Sequence, residues 1–432
     1  MRLLSHESKI TCTYLLKWSV FAPVSGVLCS AVVCLFSLLI SSLNTFADST
    51  AVHPVLWCGA GAATVTLVIY KLQPDAIVEG IPSYIKGMCE HNGILSTGQT
   101  VMKFLAAVIT LGTFGSGGVV GPLGRITAGV MSFVGKRFQK IGFSQSDIYT
   151  ASICGMAAGV GAIFHSPIGG GIFAVEVIRK ARLGYKSVFP AVLASTSAVV
   201  FSSSAGWDAV YSIDALAGRL NLSIVHLVLI VAVLCGLVGN AFENLYALLV
   251  KVLRRGRKPL FIKALAGSVA ACTCAWLINP NLLSTSQKLF SQIMQGELDA
   301  AVGNLSGFMP LAPALFMIMA LKLTFNCITV GSGMSAGFTG PAVLAGMLLG
   351  ACAATTAGIA PATAEFHMLV AVGFAGILSS AMNVPLGAAV ITTEVFGTGY
   401  SPAAALSAII AFQLSRSGTI HEYAISESEF SK

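Results

Sequence analysis

The sequence contains a glycine-rich run that ends in a proline and leads into an apolar segment. Five glycines precede Pro122 between Gly112 and Gly121. Glycine lets the backbone turn sharply and leaves its N–H groups uncovered, and a proline just inside a helix start has the φ angle of the first turn. The run therefore predicts a helix N-terminus with bare amides, which favours a bound anion because such an end carries about half a positive charge. Taken alone, the run also fits a tight turn between packed helices.

The glycine-proline motif occurs twice. Gly340-Pro341 follows Gly121-Pro122 at a spacing of 219 residues (340 − 121 = 219). A longer run, 154–177, resembles 372–395 without gaps, at a spacing of 218 (372 − 154 = 218). These runs indicate two copies of one structural unit.

Repeated units with helices interrupted at matching places are typical of transporters whose site lies between the halves. We therefore predict a first membrane repeat over 1–215 and a second over 216–432. Glu176 and Glu394 stand at equivalent places in the two copies. That equivalence favours a structural duty at a helix end, against backbone N–H groups or a neighbouring helix, over a role in proton relay.

The composition is that of an integral membrane protein. Of 432 residues, 55% are hydrophobic and only 10% are charged, and the mean hydropathy is +0.84, whereas soluble domains contain about 25% charged residues. Several apolar segments are shorter than the ~20 residues that cross a bilayer, or are interrupted by Gly or Pro. We expect an all-α polytopic protein of the cell membrane with many short, broken helices, whose first span is Trp18 to Leu43.

Charge and cysteine placement exclude several function classes. The basic residues between Lys251 and Lys258 lie in a short connection between apolar segments, which indicates a cytoplasmic loop and not a nucleic-acid site. Eleven cysteines lack the spacing of metal ligands or disulfides. The sequence also has neither a His-Glu-x-x-His nor a Gly-x-Ser-x-Gly motif. We therefore expect no enzyme activity, cofactor or metal.

Four motifs, taken in order, resemble those of the CLC family of chloride channels and proton-coupled chloride transporters. They cover most of the chain, and each is similar to a conserved family segment: Gly80-Ile-Pro82 to the end of Gly-Ser-Gly-Ile-Pro, Gly118-Val-Val-Gly-Pro122 to Gly-Arg-Glu-Gly-Pro, Ser335-Ala-Gly-Phe-Thr-Gly-Pro341 to the Gly-Gly-x-Phe-x-Pro loop, and Gly418-Thr-Ile-His-Glu-Tyr423 to the segment with the pore tyrosine. The resemblance implies an inverted repeat and a homodimer in which each subunit holds its own anion path.

The resemblance also implies which residues contact the anion. These are the backbone N–H groups of Phe338 and Thr339 with the hydroxyl of Tyr423 at a central site, the amides of Val119, Val120 and Gly121 nearer the outside, and the segment Glu79-Gly80. Helix-end amides and a hydroxyl can replace the hydration shell of an anion without a full positive charge that would trap it.

Three positions depart from the family pattern. The gating glutamate of the family falls at Val120, and the carboxylate that relays protons in the antiporters falls at Val177. The pore serine is replaced by Glu79. Ionised, Glu79 would repel chloride, whereas protonated it could donate a hydrogen bond as the serine would. Glu79 is thus either a gate or proton carrier, or an N-cap whose carboxylate turns back onto the helix amides.

These features favour passive transport of chloride or a similar small anion through a CLC-type pore. The alternative is an anion/proton exchanger with Glu79 as the coupling acid, or a carrier for fluoride, bicarbonate or nitrate. Lys103 and Lys322 lie in apolar segments 219 residues apart (322 − 103 = 219), and they either raise the potential of the anion path or snorkel to an interface. Because the chain stops at Lys432, soon after Tyr423, we expect no cytoplasmic regulatory domain.

Overall fold

The protein is helical throughout the part that the structure describes. The computed structural model describes residues 6–77, 79–179, 184–211, 213, 215–254 and 259–415. Its α-helices, in chain order, are α1 (His6–Ser49), α2 (Pro54–Thr64), α3 (Tyr70–Leu72), α4 (Gly80–Glu90), α5 (Thr97–Gly112), α6 (Val120–Phe138), α7 (Gln145–Phe164), α8 (Pro167–Glu176), α9 (Tyr185–Ser204), α10 (Val225–Arg254), α11 (Leu260–Ile278), α12 (Gln287–Met294), α13 (Leu298–Val302), α14 (Leu311–Gly331), α15 (Thr339–Thr356), α16 (Ala364–Met382), α17 (Pro385–Phe396) and α18 (Ser401–Ser415).

Nine helical segments of the described chain are long and apolar enough to cross a bilayer. The first is longer than the predicted span, because α1 continues beyond both ends of Trp18 to Leu43. The most apolar windows of α7 and α16 are 94% buried, whereas that of α1 is 44% buried. The core of the molecule therefore lies around α7 and α16, and helices such as α1 surround it. The protein is a multi-pass membrane protein.

Two long apolar runs are each broken into a pair of helices, as the glycines and prolines predict. α7 ends at Phe164 and α16 ends at Met382. The residues that follow them, His165 and Asn383, have left-handed backbone, with φ of +50° and +56°. Pro167 and Pro385 then begin α8 and α17. Since a left-handed residue stops a helix and a proline starts one readily, each chain segment reverses within three residues.

The repeat seen in the sequence is a repeat of helix starts. α6 and α15 begin at Val120 and Thr339, at the spacing of 219 (339 − 120 = 219), and α7 and α16 begin at Gln145 and Ala364, at the same spacing (364 − 145 = 219). The fold is therefore two similar halves built of short, broken helices. The division at residue 215 lies between α9 and α10 and stays a proposal.

The loops before α6 and α15 pair with each other across the two halves. The N–H of Gly118 donates to the carbonyl of Gly337 (2.9 Å), and the N–H of Gly337 donates to the carbonyl of Gly118 (2.8 Å). The two glycines are equivalent in the repeat, so this reciprocal antiparallel contact relates the halves by a local two-fold axis, as an inverted repeat requires.

This pairing needs glycine on both sides. A Cβ on Gly118 would lie 2.8 Å from the nitrogen of Gly340, and a Cβ on Gly337 would lie 2.8 Å from the nitrogen of Gly121. Because real Cβ atoms do not approach backbone atoms so closely, any side chain would push the two helix starts apart. The glycine-rich composition of the motif is thus explained by close backbone approach as well as by turning.

A second reciprocal contact joins α8 and α17. The carboxylate of Glu176 accepts hydrogen bonds from the N–H groups of Leu386 (3.2 Å) and Gly387 (2.7 Å), at the start of α17. In the other direction, Glu394 accepts from Ile168 and Gly169, each at 2.9 Å, at the start of α8. The prediction that these glutamates serve helix ends is confirmed, because each one caps the helix that carries the other.

We expect Glu176→Gln to lower the stability of the protein. Glu176 is fully buried, and glutamine would lose the charge-assisted bonds and could place an NH₂ group against the amide donors of α17. The cost should be about 1–3 kcal/mol, measured as an earlier thermal unfolding transition in detergent. Glu365→Gln is the matched control, since Glu365 is exposed. Equal transitions for the two variants would contradict the capping role.

Candidate functional site

Three buried helix starts form the candidate site. α4, α6 and α15 have N-caps at Glu79, Val119 and Phe338, respectively. The N-cap side chains of α6 and α15 make no hydrogen bond to their helices. The first backbone N–H groups of these two helices therefore have no capping side chain. Helix starts of this kind present N–H donors and a partial positive charge.

The three starts lie against one another. A Cβ on Gly80 would collide with the carbonyl of Gly121, and a Cβ on Gly121 would collide with Oε1 of Glu79 and lie 3.1 Å from Cα of Gly337. α4 and α6 therefore touch at their first residues, next to the paired loop that leads into α15. The sequence prediction that segments at 80, 120 and 338 meet inside the protein is confirmed for their position. Anion binding there stays a prediction.

Glu79 is an N-cap with one satisfied oxygen and one unsatisfied oxygen. Its side chain is 5% exposed, and Oε2 accepts a hydrogen bond from the N–H of Ile81 (2.8 Å). Oε1 has no hydrogen-bond partner among the described residues and points at Gly121, at the start of α6. The carboxylate thus lies between two helix N-termini. It occupies the kind of place where those termini would hold a free anion.

The two lysines of the apolar segments are buried, so snorkelling to an interface is wrong for both. Nζ of Lys103 donates to the carbonyl of Ala76 (3.2 Å), and Lys103 also interacts electrostatically with Glu79. Nζ of Lys322 donates to Oγ of Ser116 (2.9 Å), in the loop before α6. The expectation that the anion site has no fixed cation nearby is therefore only partly correct. Its cations stand behind the helix starts and are bonded to neutral oxygens.

A tyrosine that the sequence analysis did not identify reaches the same place. Tyr211 is 1% exposed, and its Oη lies against Gly340 and Val119. The hydroxyl has no hydrogen-bond partner among the described residues. Its ring is held between the rings of Phe164 (5.5 Å between centroids) and Phe290 (4.7 Å). The hydroxyl is thus fixed in position beside two helix starts, with its proton available to a ligand.

A cavity leads from the surface to the start of α6. We call it the end-face cavity, because Asn44 and Asp48 near the end of α1 line its mouth. Its volume is about 360 Å³, and its inner wall includes Val119. Val120, which follows, is fully buried. Val119 is thus the residue of the α6 start that contacts the cavity, and Val120 is not among the described residues that line it.

The central pair of predicted anion contacts is well ordered by packing. Phe338 is 1% exposed, and its ring packs edge-on against Phe242 (5.8 Å between centroids) and Tyr246 (4.5 Å). Thr339 is fully buried and its hydroxyl donates to Sδ of Met382 (3.5 Å). The backbone amides of this pair are thus held at the start of α15. Tyr423, the third predicted contact, lies outside the described residues.

Comparison with known proteins agrees with this geometry. The family model described as voltage gated chloride channel matches residues 61–416. This chain belongs to that family. Its members transport anions across membranes, so the resemblance inferred from the four motifs is confirmed. The match includes α4, α6 and α15, with their three helix starts.

Relatives of this CLC protein include channels and exchangers. A chloride/fluoride channel protein of Pseudomonas syringae is 22% identical over 423 residues, which cover 96% of this chain and 88% of the relative. An H(+)/Cl(-) exchange transporter of Citrobacter koseri is 25% identical over 341 residues, covering 76% and 68%. The crystal structure of a CLC-type fluoride/proton antiporter has a TM-score of 0.81 at 20% identity, covering 95% of this chain and 98% of that one. The fold is therefore confirmed.

Gly121→Ala should destabilise this CLC protein by a mechanism that depends on Glu79. The new Cβ would collide with Oε1 of Glu79, and overpacking of this kind costs about 1–3 kcal/mol. Removing the carboxylate in a Gly121→Ala/Glu79→Ala double variant should recover part of that cost, as measured by unfolding of the four proteins in a double-mutant cycle. Gly307→Ala is the control, because nothing lies within 4 Å of its added Cβ. Additive costs would contradict the contact.

Proposed function

We propose that this protein passively transports chloride, or a similar small anion, through a CLC-type pore that lacks the usual gating and proton-relay glutamates. The observation that carries the proposal is the meeting of three buried helix starts, one of which reaches the end-face cavity through Val119. Val120 and Val177, which stand at the two acidic positions of the family, are both buried and cannot take up a proton. Neither can block the path with a charge or couple it to protons.

The proposed anion contacts are backbone amides and hydroxyls. They comprise the segment Glu79-Gly80, the amides of Val119, Val120 and Gly121, the amides of Phe338 and Thr339, the hydroxyl of Tyr423, and the hydroxyl of Tyr211. Several weak donors release an ion more readily than a direct cation would. Lys103 and Lys322 support the same function from behind, because buried positive charges make the potential at the helix starts favourable for an anion.

Glu79 is the proposed gate. Burial favours its neutral acid, whereas the amide of Ile81 and the charge of Lys103 favour its carboxylate. Ionised, the carboxylate competes with the transported anion for the starts of α4 and α6. Protonated, it frees those amides and can donate a hydrogen bond. The half-satisfied state of the carboxyl group supports this role, since an N-cap with only a structural duty would have no reason to aim its second oxygen into the site.

A second candidate function is anion/proton exchange with Glu79 as the coupling acid, or transport of fluoride, bicarbonate or nitrate. The observation that favours it is again Glu79, the one carboxyl group at the described helix starts of the site. The names of similar proteins include a chloride/fluoride channel and a fluoride/proton antiporter. In this alternative, proton uptake by Glu79 would be obligatory in each transport cycle.

We further propose a homodimer in the cell membrane with no enzyme activity. Ile168 and Leu386, the second residues of α8 and α17, are equivalent in the repeat, and both are 48% exposed. Paired helices that show matching apolar side chains on their outer surface suit the face of a second copy, since symmetric dimers use self-complementary surfaces.

Passive transport and exchange differ in how the reversal potential responds to a pH gradient. We expect the reversal potential of protein reconstituted into a planar bilayer to follow the chloride gradient and to stay constant when a pH gradient is imposed. A passive path moves no protons, so only the anion gradient sets its reversal. A reversal potential that shifts with the pH gradient would contradict the passive path and would support exchange.

Glu79→Gln tests the gate. We expect chloride flux of the wild type in liposomes to rise as pH falls, because protonation withdraws the competing carboxylate from the helix starts. Glutamine is neutral at every pH, so the variant should show high flux with little pH dependence. Glu365→Gln, which removes an exposed carboxylate in the first turn of α16, is the control and should keep the wild-type profile. Identical pH profiles for Glu79→Gln and the wild type would exclude the gate.

A further inference from the structure

A second and larger cavity opens on the opposite face of the protein from the end-face cavity. Nζ of Lys17 and Oδ1 of Asp147 are 2.5 Å apart, which places the first part of α1, at its twelfth residue, beside the start of α7. Gln145, the first residue of α7, lines a cavity of about 840 Å³. We call it the start-face cavity, because it lies on the face where α1 begins.

The lining of the start-face cavity is basic. Lys86 of α4 and Arg125 and Lys136 of α6 contribute positive charges, and no Asp or Glu lies among the described lining residues. Glu90, an exposed acid, has its Oε2 3.9 Å from Nζ of Lys86. A concave surface lined by three cations focuses their electrostatic field and attracts multivalent anions.

Arg125 is the deepest of these cations. Its side chain is 2% exposed and donates to Oγ of Ser83 (3.1 Å), Oγ1 of Thr100 (3.0 Å) and Oε1 of Gln99 (3.3 Å). All three acceptors are neutral, and the three bonds leave donors of the five in a guanidinium unused. Buried arginines ordinarily have an anionic partner. No Asp or Glu of the described residues forms a salt bridge with Arg125.

Lys103, a second buried cation, interacts electrostatically with both Arg125 and Glu79. An uncompensated buried charge is costly in a membrane protein. A bound anion beside Arg125 would supply the missing negative charge.

We propose that the start-face cavity binds a phosphate group, with Arg125 as its buried anchor and Lys86 and Lys136 as its outer contacts. The planar fork of a guanidinium matches the oxygens of an oxyanion, which a halide lacks. The cavity is also far larger than a halide. Three fixed cations would hold an anion too firmly for rapid passage, so this is a binding site and not a part of the transport path.

The proposed ligand would contact the helix that carries the gate. Ser83 and Lys86 line the cavity from α4, whose N-cap is Glu79. The phosphate group can come from two sources, inorganic phosphate in solution or the headgroup of a phospholipid at the membrane surface. The binding site itself does not depend on which anion the pore transports, because its evidence lies in the cavity.

The test measures binding to the full-length purified protein without any flux assay. Radiolabelled inorganic phosphate is titrated against the wild type, Arg125→Gln and a Lys86→Gln/Lys136→Gln double variant. Each lost charged hydrogen bond should weaken binding about tenfold to a hundredfold, and chloride at the same ionic strength should not compete. The double variant changes only half-buried lysines, so it remains informative if Arg125→Gln fails to fold. A Lys71→Gln/Lys251→Gln protein, with the same charge change at exposed positions, should bind like the wild type.

A second arm distinguishes the source of the phosphate group. Protein is reconstituted into phosphatidylcholine vesicles with and without phosphatidic acid, and retained phosphatidic acid is quantified after extraction into detergent. Retention that is lost in the double variant, without binding of inorganic phosphate, supports the site with a lipid headgroup as its ligand. The proposal is overturned if neither probe binds the wild type, or if the double variant binds both probes as the wild type does.

Discussion

The reciprocal hydrogen bonds between Gly118 and Gly337 fix the central geometry of this protein. Each glycine immediately precedes the capping residue of a helix, so pairing them places the starts of α6 and α15 side by side at a local two-fold axis. Two helix N-termini in contact repel each other electrostatically, because each carries about half a positive charge. The backbone bonds oppose this repulsion, and a negative charge nearby relieves it. The backbone alone therefore makes this place electrostatically favourable for a negative charge, before any side chain is considered.

Glu79 places a carboxyl group of the protein itself at these helix starts. Its carboxylate lies at the start of its own helix and against the start of α6. A tethered carboxylate has a high local concentration, which makes it an effective competitor for a free anion. In the proposed function, its protonation would remove the competition without moving a helix. A single titratable side chain would then control a site built from rigid backbone, even with Val120 and Val177 at the positions proposed to have lost their acids.

Much of this architecture is predictable from the sequence, and the reason is local. Glycine and proline act on the backbone at their own positions, so the breaks at Pro167 and Pro385 and the repeat of 219 residues could be read directly. Tyr211 and Arg125 could not be found in this way. Their roles depend on which distant residues they approach, and neither belongs to a repeated motif. The only available signal for Arg125 was a charge in the apolar first part of α6, three residues after the motif proline.

Three glutamates of this protein bind helix N-termini, and comparing them separates structure from function. Glu176 and Glu394 cap helices in the opposite half, and each accepts at least two backbone bonds. Breaking either one would leave two helix-start amides without their carboxylate partner, so both are expected to stay in place. Glu79 caps its own helix with one oxygen and leaves the other unbonded among the described residues. In the proposed gate, its release would break one hydrogen bond and free the amide of Ile81 for an incoming anion. The same residue type at the same kind of site thus holds a helix end in place in two cases and is the proposed movable group in the third.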